Sequence, residues 1–330
     1  MKKLISIKAP FRISLFGGGS DFPKWFNNYG GAVISGSIDK YCTITIRKLP
    51  SFFFHKHRIV WSKIELVNQI DEISHPVIKE VLKSFNFSEG VEIHHFGDLP
   101  ARSGIGSSSS FSVALLKAVY ELKGIKIEKD RIIDQSIKLE RNKLKEMGGW
   151  QDQIIVTKGG FRYTEFSYKN SYVSTKIKIS DKCLNELNNQ LLLFYTGNPR
   201  SSYIIQNKLQ KNILNKKSEL NDICSITKEA LKIILSKKNY ILLGSLLDES
   251  WKIKKCLHKE ISNSYLDDLY SYAQKNGAIG GKLLGAGQGG FLLLFVTDLQ
   301  KANLIKKMEK KKIINVPFKF EDKGLHRVKL

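Results

Sequence analysis

Parts of the chain alternate between apolar and polar residues in the manner of β-strands. Residues 4–10 open with a predicted strand that ends at Ala9-Pro10. Thr43–Ile46 alternates at period two within a strand-like stretch from residue 33 to residue 47. Further predicted strands cover residues 91–96, 161–166, 173–179, 191–195 and 291–296, with shorter ones near 313–320 and 326–329.

Other stretches are typical of helices. The strongest runs from Phe111 to Leu122, which is apolar on most sides and is therefore predicted to be buried. A second helix is predicted from Lys129 to Met147, directly before Gly148-Gly149. The remaining predicted helices cover residues 76–85, 201–217, 218–236, 240–258, 264–276 and 298–310.

The order of these elements mixes strands and helices without strict β-α alternation, which favours the α+β class. The sequence contains no internal repeat and no low-complexity linker. A chain of 330 residues is long enough for two packed lobes or one large domain. We place a lobe boundary near residue 180, which predicts an N-terminal lobe of residues 1–180 and a C-terminal lobe of residues 181–330.

The composition is that of an ordinary globular protein, with 42% hydrophobic residues. No apolar run approaches the roughly 18 residues of a membrane span, and no leader-like segment follows Lys2-Lys3. We therefore expect a cytoplasmic protein without a membrane partner. The four cysteines lie far apart and form no CxxC pair, so reduced thiols are expected rather than disulfides or a zinc site.

The chain is strongly basic, with 54 Lys and Arg against 31 Asp and Glu and a formal charge of +23. Such a charge raises the hypothesis of a nucleic-acid partner. The lysines, however, are scattered over the whole chain and are densest from about Lys208 to Lys259, amid Asn and Ile. That distribution is typical of solvated helix faces, and attraction of anionic substrates explains it without nucleic acid.

A serine-rich loop precedes the apolar helix. It runs Leu99-Pro-Ala-Arg-Ser-Gly104-Ile-Gly106-Ser-Ser-Ser-Ser110. Glycines let successive backbone N–H groups turn inward, and a helix N-terminus adds positive potential, so the loop predicts a phosphate site. A helix cap would need one serine rather than four. The loop is not a Walker motif, because no Gly-Lys in the chain precedes Ser or Thr.

Two other patterns are less specific. Gly285-Ala-Gly287-Gln-Gly289-Gly290 formally contains GxGxxG, which a dinucleotide fold places between a strand and a helix. We predict a helix before it and a strand after it, which disfavours that fold. The pairs His94-His95 and His55-x-His57 lack a third ligand at a convincing spacing and are interpreted as ordinary strand or loop histidines.

Three segments in order resemble the motifs of the GHMP kinase superfamily, named for galacto-, homoserine, mevalonate and phosphomevalonate kinases. They are Pro10 to Asp21 (PFRISLFGGGSD), Leu99 to Ser110 (LPARSGIGSSSS) and Lys282 to Leu292 (KLLGAGQGGFL). The likeness spans nearly the whole chain, and three ordered motifs are more specific than one. The Gly-Gly-Gly-Ser-Asp element resembles the sugar branch, with heptose-7-phosphate kinases and fucokinases, whereas mevalonate kinases have Gly-Glu-His there. Residues 148–153, 159–161 and 196–202 also resemble that branch.

The resemblance implies a two-lobed α+β fold, with a ribosomal-protein-like N-terminal lobe, a ferredoxin-like C-terminal lobe and the active site between them. The third motif is expected to close over the site. The implied ligands are ATP, Mg²⁺ and a sugar phosphate. Whether the protein forms a homodimer stays an open question. The residues expected to bind ATP are Gly104, Ile105, Gly106, Ser107, Ser108, Ser109 and Ser110.

The resemblance also implies catalytic roles. Asp152 matches the acidic residue treated as the base of the family, and whether it removes the proton or only orients the hydroxyl stays open. The residues alone also allow a plain helix-end or turn aspartate. Arg12 matches the family's Lys or Arg and would stabilise charge at the acceptor oxygen, unless it is a surface arginine at a strand end. Glu140 matches the acidic magnesium ligand and Ser108 the serine that supports it. The alternative for Glu140 is a helix-surface glutamate beside Arg141.

Contacts with the sugar are expected from both ends of the chain. Asp21, after three glycines, could accept hydrogen bonds from sugar hydroxyls. Arg200 lies in a turn that should open a helix and could hold a phosphate of the sugar, with Arg102 as a rival. Trp61 and Ser62 are guesses for the adenine pocket. The other residues expected to contact the sugar are Gly18, Gly19, Ser20, Gly285 and Gly287.

The function implied is ATP-dependent phosphorylation of the anomeric hydroxyl of D-glycero-D-manno-heptose 7-phosphate to the 1,7-bisphosphate, for activated heptose and surface polysaccharide. A fucokinase-like or other sugar-1-kinase is the alternative within this class. A catalytically silent sugar-binding regulator on the same fold is a further alternative, since fold does not fix function.

Overall fold

The computed structural model describes residues 4–197, 202–236 and 239–329. Its strands, in chain order, are β1 (Ile5–Phe16), β2 (Gly31–Lys48), β3 (His57–Val60), β4 (Ile64–Val67), β5 (Val91–Gly97), β6 (Phe161–Ser167), β7 (Ser171–Lys176), β8 (Leu191–Tyr195), β9 (Ala278–Leu283), β10 (Phe291–Val296), β11 (Ile314–Asn315) and β12 (His326–Arg327).

Helices surround these strands. They are α1 (Pro23–Tyr29), α2 (Pro76–Ser84), α3 (Ser107–Leu122), α4 (Lys129–Lys138), α5 (Gln151–Lys158), α6 (Asp181–Asn189), α7 (Ser202–Asn212), α8 (Lys217–Ser236), α9 (Ile241–Leu257), α10 (Ser264–Lys275) and α11 (Asp298–Lys310). Turns of 3-10 helix cover Ile70–Glu72 and Ile213–Lys216, and a π-helical turn covers Leu139–Lys143. No helix in the described ranges is both long and apolar enough to cross a membrane.

The strands form two sheets, and the predicted α+β class is confirmed. One sheet has the order β12-β1-β2-β5-β3-β4, with β6 on β2 and β7 on β6; the other has the order β11-β8-β10-β9. The long strand β2 pairs with β5 through Cys42–Lys48 and with β6 through Gly31–Gly36. The predicted boundary at residue 180 falls between β7 and α6 and stays a prediction, and β12 returns to the first sheet beside β1.

The first strand does not end at Pro10, as the sequence predicts, but continues to Phe16. A register shift between Pro10 and Arg12 interrupts its pairing with β2. β12 pairs only with Ile7 and Lys8 of β1. The missing N–H of Pro10 therefore removes no backbone hydrogen bond between β1 and β12. Past the bulge, the backbone N–H of Arg12 donates to the Ile105 carbonyl at 3.0 Å. The bulge therefore turns the strand from its sheet toward the serine loop.

Two predicted helices have different limits. The helix predicted from Phe111 begins at Ser107, so the serines occupy its first turn rather than a loop before it. The helix predicted to reach Met147 ends as α4 at Lys138 and continues only as the π-helical turn Leu139–Lys143. Such wide turns often lie at functional sites, and this one contains Glu140.

The element before the third glycine cluster is the strand β9, not the predicted helix. β9 and β10 pair as an antiparallel hairpin, with Leu283 opposite Leu292. The dinucleotide interpretation is still disfavoured, because a strand and not a helix follows the glycines.

α3 crosses behind β1 and β2 and supplies much of the core. It is buried along most of its length, from Ser109 to Val119, as its apolar sequence predicts. Burying each large apolar side chain contributes roughly 1.5–3 kcal/mol, so packing rather than capping holds this helix in place. Its N-cap residue, Gly106, offers no side-chain cap.

Candidate active site

An ion pair joins the first motif to the start of α5. The Arg12 guanidinium contacts both oxygens of Asp152, with Nε 2.6 Å from Oδ1 and Nη2 2.5 Å from Oδ2. Its third nitrogen donates to the Gly104 carbonyl at 2.6 Å. The Arg12 side chain is 4% exposed and that of Asp152 is 19% exposed. Two-point contacts of this kind fix the orientation of both groups. The structure thus brings the two predicted catalytic residues together against the serine loop.

These residues line a cleft of about 320 Å³. That volume lies in the range of small-molecule sites, roughly 300–1,000 Å³. One wall comes from the first motif and the serine loop, another from α5 and the turn before it, and a third from α7, α9 and the third motif. The lining residues predicted from the sequence are Arg12, Gly18, Gly19, Asp21, Arg102, Gly104, Gly106, Ser107, Ser108, Ser109, Glu140, Asp152 and Gly285.

The start of α3 opens onto the cleft. Gly104 and Gly106 have φ angles of +85° and +75°, which side chains rarely adopt. The first N–H groups of a helix have no partner within it, and Gly106 supplies no side-chain acceptor for them. Ser108 is exposed here, and Ser107 accepts a hydrogen bond from the Arg102 backbone N–H at 3.1 Å. The arrangement presents donors and positive potential to an anion.

The other two serines face inward. Ser109 donates to Glu140 Oε2 at 3.3 Å, and the buried Ser110 donates to the Pro10 carbonyl at 2.9 Å. Ile105 is fully buried in the core. Neither Ser110 nor Ile105 is among the cleft-lining residues, so of the predicted ATP-binding residues these two support the loop from behind.

Glu140 is buried, with 6% of its surface exposed. Gln153 Nε2 donates to its Oε2 at 2.6 Å, and the Ser136 hydroxyl lies 3.4 Å from its Oε1. Burial raises the pKa of Glu140 to about 8, and the nearby Glu146 carboxylate adds to the rise. A buried carboxyl group with this pKa is suited to a cation, which would favour its ionised form.

A magnesium ion fits this corner of the cleft if ligands from outside the protein complete its coordination shell. The described residues contain no cluster of three or more His, Cys, Asp or Glu side chains that could hold a metal. Glu140 and the serine hydroxyls at the start of α3 supply two oxygen donors, and Mg²⁺ commonly completes its shell with waters and substrate phosphates. Ser109 contacts Glu140 directly, whereas the predicted ligand Ser108 lies exposed beside it.

Asp21 lies beneath the cleft, 2% exposed. Its Oδ1 accepts from the Gly19 N–H at 3.0 Å and its Oδ2 from the Gln151 N–H at 3.3 Å. Burial raises the pKa of this carboxyl group. A Cβ atom at Gly149 would lie 1.9 Å from Asp21 Oδ2, so only glycine fits there. Asp21 therefore anchors the first motif to the start of the helix that carries Asp152.

Two lysines that the sequence did not single out as functional also line the cleft. Lys254 donates to the Gly285 carbonyl at 2.7 Å, and Lys282, 2% exposed, donates to the Leu15 carbonyl at 3.0 Å. Burial lowers the pKa of Lys254 to about 8, with the Arg12 charge adding to the fall. Burial likewise lowers the pKa of Lys282 well below its ordinary value, and the Lys254 charge contributes.

Replacing Lys254 by methionine is expected to stabilise the free protein at pH 7. The unfolded lysine, with a pKa of 10.5, holds its proton more tightly than the folded one at about 8. This cost is fully present below pH 8 and is relieved as the pH rises toward 10.5. Since the cleft admits some water, we expect a gain on the order of 1–2 kcal/mol. Thermal melts from pH 6 to pH 10 should show the advantage in Tm shrinking with pH; a constant advantage would argue for a purely apolar effect.

The third motif packs directly on the serine loop. A Cβ atom at Gly285 would lie 2.5 Å from Gly104 Cα, and one at Gly290 would lie 2.3 Å from the Ser103 carbonyl oxygen. The Phe291 N–H donates to that same carbonyl at 3.1 Å. Glycines at these positions let two backbones touch. Gly285 thus contributes a close approach of the two loops and part of the cleft wall.

Other predicted contacts lie apart from the cleft. The fully buried Ser20 hydroxyl donates to the Gly17 carbonyl at 2.8 Å, and Ser20 is not a lining residue. Gly287 packs on Ile261, where a Cβ atom would lie 2.5 Å from the carbonyl oxygen, and it does not line the cleft either. Arg200 lies outside the described residues.

Of the two residues suggested for the adenine pocket, Trp61 contacts the neighbour of a residue that lines the cleft. Trp61 packs edge-on against His75 with ring centroids 4.8 Å apart, and its Nε1 donates to Glu65 at 2.7 Å. His75 directly precedes Pro76, a lining residue. Ser62 is exposed.

Two models of one protein family match the chain. The model for the GHMP kinases N terminal domain matches residues 72–160, and the model for GHMP kinases C terminal matches residues 227–313. The D-glycero-alpha-D-manno-heptose 7-phosphate kinase of Campylobacter jejuni is 30% identical to this chain over 98% of both proteins.

More distant relatives share the fold. The bifunctional fucokinase/GDP-fucose pyrophosphorylase of Arabidopsis thaliana is 24% identical over 91% of this chain, which corresponds to 30% of that longer protein. The crystal structure of a D-glycero-D-manno-heptose 1-phosphate kinase from Bacteroides thetaiotaomicron superposes with a TM-score of 0.80 at 23% identity, covering 99% of each chain. At that identity the superposition establishes the fold alone.

Proposed function

Because the chain belongs to the GHMP kinases, we propose that it transfers the γ-phosphoryl group of ATP to the anomeric hydroxyl of D-glycero-D-manno-heptose 7-phosphate. The chain is a phosphotransferase that acts on a sugar hydroxyl. The choice of sugar is our proposal, and the likeness to the Campylobacter jejuni heptose kinase supports it. The product would be the 1,7-bisphosphate, used for activated heptose and surface polysaccharide. We also propose that residues 1–180 carry the phosphate loop and that residues 181–330 close over it.

One observation carries the proposal for the chemistry. The Arg12 guanidinium bonds the Asp152 carboxylate and the Gly104 carbonyl at once. A carboxylate is thereby tied to the start of a phosphate-binding loop, which is what in-line transfer to a hydroxyl requires.

The triphosphate would lie at the start of α3. Unpaired backbone N–H groups there, the Ser107 and Ser108 hydroxyls and the helix dipole all favour phosphate oxygens. Arg102 is exposed at the same edge and adds a positive charge. A magnesium ion bound by Glu140 and a serine hydroxyl would neutralise charge on the phosphates.

Asp152 would hold the proton of the attacking sugar hydroxyl. Each carboxylate oxygen accepts one bond from Arg12 and retains a lone pair that can accept another from the substrate. The hydroxyl is thus aimed at the γ-phosphorus, and its proton passes to Asp152 as the new bond to phosphorus forms. The bond from the γ-phosphorus to the bridging oxygen breaks at the same time, and ADP leaves with that oxygen. The Arg12 charge stabilises negative charge at the acceptor oxygen.

Glu140→Gln is expected to raise the magnesium concentration needed for half-maximal activity by roughly tenfold or more, since an uncharged amide binds Mg²⁺ poorly. The Gln153 bond at 2.6 Å can re-form with an amide oxygen, so folding should survive. Glu121→Gln is the control, because Glu121 lies in the last turn of α3, pairs with Lys117 and Arg327 and does not line the cleft. Measuring rate against magnesium at saturating ATP tests the assignment, and an unchanged magnesium curve would move the metal elsewhere.

The function is tested by measuring ADP release over a panel of acceptors. The panel contains heptose 7-phosphate, fucose, galactose, mannose and mevalonate. We expect turnover with heptose 7-phosphate and a kcat/KM at least tenfold lower with the others. Preference for fucose would support the fucokinase-like alternative, and no turnover with any acceptor would favour a sugar-binding regulator.

A further inference from the structure

Two of the side chains that line the cleft are the lysines Lys254 and Lys282. Neither Lys254 nor Lys282 forms an ion pair with a carboxylate of the described residues; both donate to backbone carbonyl oxygens. Both ammonium groups are held in surroundings that favour their neutral forms. Buried charges are ordinarily paired, so an unpaired couple of lysines in a cleft points to an anionic ligand.

The nearby acidic groups do not cancel these charges. Arg12 repels Lys254, whereas Asp21 and Asp152 attract it. Lys254 and Arg12 repel Lys282, which Asp21 attracts. Asp152 is already paired with Arg12 at 2.5 Å, and Asp21 accepts two backbone hydrogen bonds. Asp21 is thus the remaining carboxylate for the two ammonium groups, and burial raises its pKa. The protein itself therefore does little to stabilise the charged forms of these two lysines, which an anionic ligand would do.

Two further residues that line the cleft, Ser14 and Gln151, carry polar atoms without a partner among the described residues. A Cβ atom at Gly18 would lie 3.5 Å from Ser14 Oγ and 3.6 Å from Gln151 Nε2. Ser14 is 5% exposed, and its hydroxyl has no hydrogen-bond partner among the described residues. The Gln151 side-chain oxygen also lacks one within the described part of the chain. Buried polar atoms normally have partners, so a ligand is expected to supply them.

We propose that Lys254 and Lys282, with the Ser14 hydroxyl, form a subsite for a phosphate group carried by the acceptor sugar. A phosphomonoester brings close to two negative charges and several acceptor oxygens, which would satisfy the two ammonium groups and the unpartnered hydroxyl. The inference rests on the proposed function, because it concerns how the acceptor is chosen. It assigns recognition of the sugar phosphate to groups on β1, α9 and β9, independently of Arg200.

The ATP phosphates are the competing occupant. Lys254 donates to the Gly285 carbonyl, and Gly285 packs on Gly104 of the phosphate loop. A lysine so placed could reach the transferred phosphoryl group instead. The two roles differ in their kinetics, because only a subsite for the acceptor distinguishes a phosphorylated sugar from the same sugar without its phosphate.

The experiment compares two acceptors with wild-type enzyme and Lys254→Met at saturating ATP. The acceptors are D-glycero-D-manno-heptose 7-phosphate and unphosphorylated D-glycero-D-manno-heptose. For the variant we expect kcat/KM to fall roughly 10- to 100-fold with the 7-phosphate, the scale of a lost bond to a charged group. With the free heptose it should change less than about threefold, and the KM for ATP should be unchanged.

Lys255→Met is the matched control. Lys255 is the next residue of α9 but lies 3.0 Å from Asp267, outside the cleft lining. Its replacement removes the same charge and should leave both acceptors unaffected. Binding without turnover gives a second measurement: the 7-phosphate alone should raise the Tm of the wild-type protein and of Lys255→Met, and raise that of Lys254→Met much less.

The outcomes separate this inference from the function it rests on. If the wild-type enzyme uses neither acceptor, the proposed function is overturned. If it uses the 7-phosphate and Lys254→Met retains the wild-type KM, the subsite alone is overturned. An equal loss with both acceptors, or a higher KM for ATP, would assign Lys254 to the transfer step and also reject the subsite.

Discussion

Replacing Asp152 by asparagine should lower kcat by roughly 10²- to 10⁴-fold, the range observed when a general base is removed. Asparagine keeps the shape of the side chain but cannot take the proton of the sugar hydroxyl. It also loses the charge that meets Arg12 at both oxygens. Because ATP is held by the loop around Gly104, the KM for ATP should change little. Steady-state kinetics with each substrate varied in turn measure both effects.

Asp298→Asn provides the control for this variant. Asp298 is also a carboxylate in the first turn of a helix, but it is exposed and does not line the cleft. Its replacement should leave kcat unchanged. It should lower the free energy of unfolding by about 0.3–1 kcal/mol, the usual contribution of an acidic residue at a helix N-terminus. Thermal melts of both variants separate catalysis from folding. A folded Asp152→Asn enzyme with wild-type turnover would show that Asp152 is not the base.

Gly285→Ala should reduce kcat/KM by roughly 10²-fold, because it moves the phosphate loop. The new Cβ atom would lie 2.5 Å from Gly104 Cα, so one of the two backbones must shift. Gly104 also accepts the Arg12 bond at 2.6 Å, and its displacement disturbs the ion pair with Asp152. Displacements near 1 Å at a reacting centre can have effects of this size. Kinetics with ATP varied should show the loss.

Gly124→Ala isolates the backbone component of that effect. Gly124 has the same φ of +73° as Gly285, yet nothing lies within 4 Å of a Cβ atom built there. Both variants strain the backbone by roughly 1 kcal/mol, but only Gly285→Ala collides with the phosphate loop. If the two variants lost activity equally, the contact between the third motif and the serine loop would have no catalytic importance.

The sequence predicted the fold class and most long elements because their periodicity is strong. β10 is apolar over its full length and α3 is mostly apolar from Phe111 onward, and both were found on that basis. β9 was missed because its two glycines interrupt the pattern. A Cβ atom at Gly280 would lie 2.0 Å from the Gly244 carbonyl oxygen, so close packing on α9, and not strand propensity, decides the residue there.

α5 was missed for a different reason. It has eight residues and no local capping side chain, since Trp150 occupies the N-cap position. The group that meets its start is the Asp21 carboxylate, which bonds the Gln151 N–H from 130 residues away. Local sequence signals cannot reveal a partner contributed by a distant segment.

The sequence predicted only part of the candidate site, because contacts between distant segments decide which of its residues are buried there. The resemblance to the GHMP kinases pointed to Arg12, Asp152 and Glu140, and the structure places all three in one cleft. Nothing in the sequence distinguished Lys254 from the many exposed lysines around it, because only burial makes it unusual. Lys282 could have been noticed as a charge within an otherwise apolar strand, which usually signals a buried ion.

The pairing of β12 with β1 has a consequence for biosynthesis. Ile7 lies opposite Arg327, and the Val328 N–H donates to the Ser6 carbonyl at 2.9 Å. During translation at roughly 5–20 residues per second, the outer edge of β1 emerges tens of seconds before its partner does. The nascent chain therefore exposes an unpaired strand edge, a known starting point for aggregation, until the segment around Arg327 has left the ribosome.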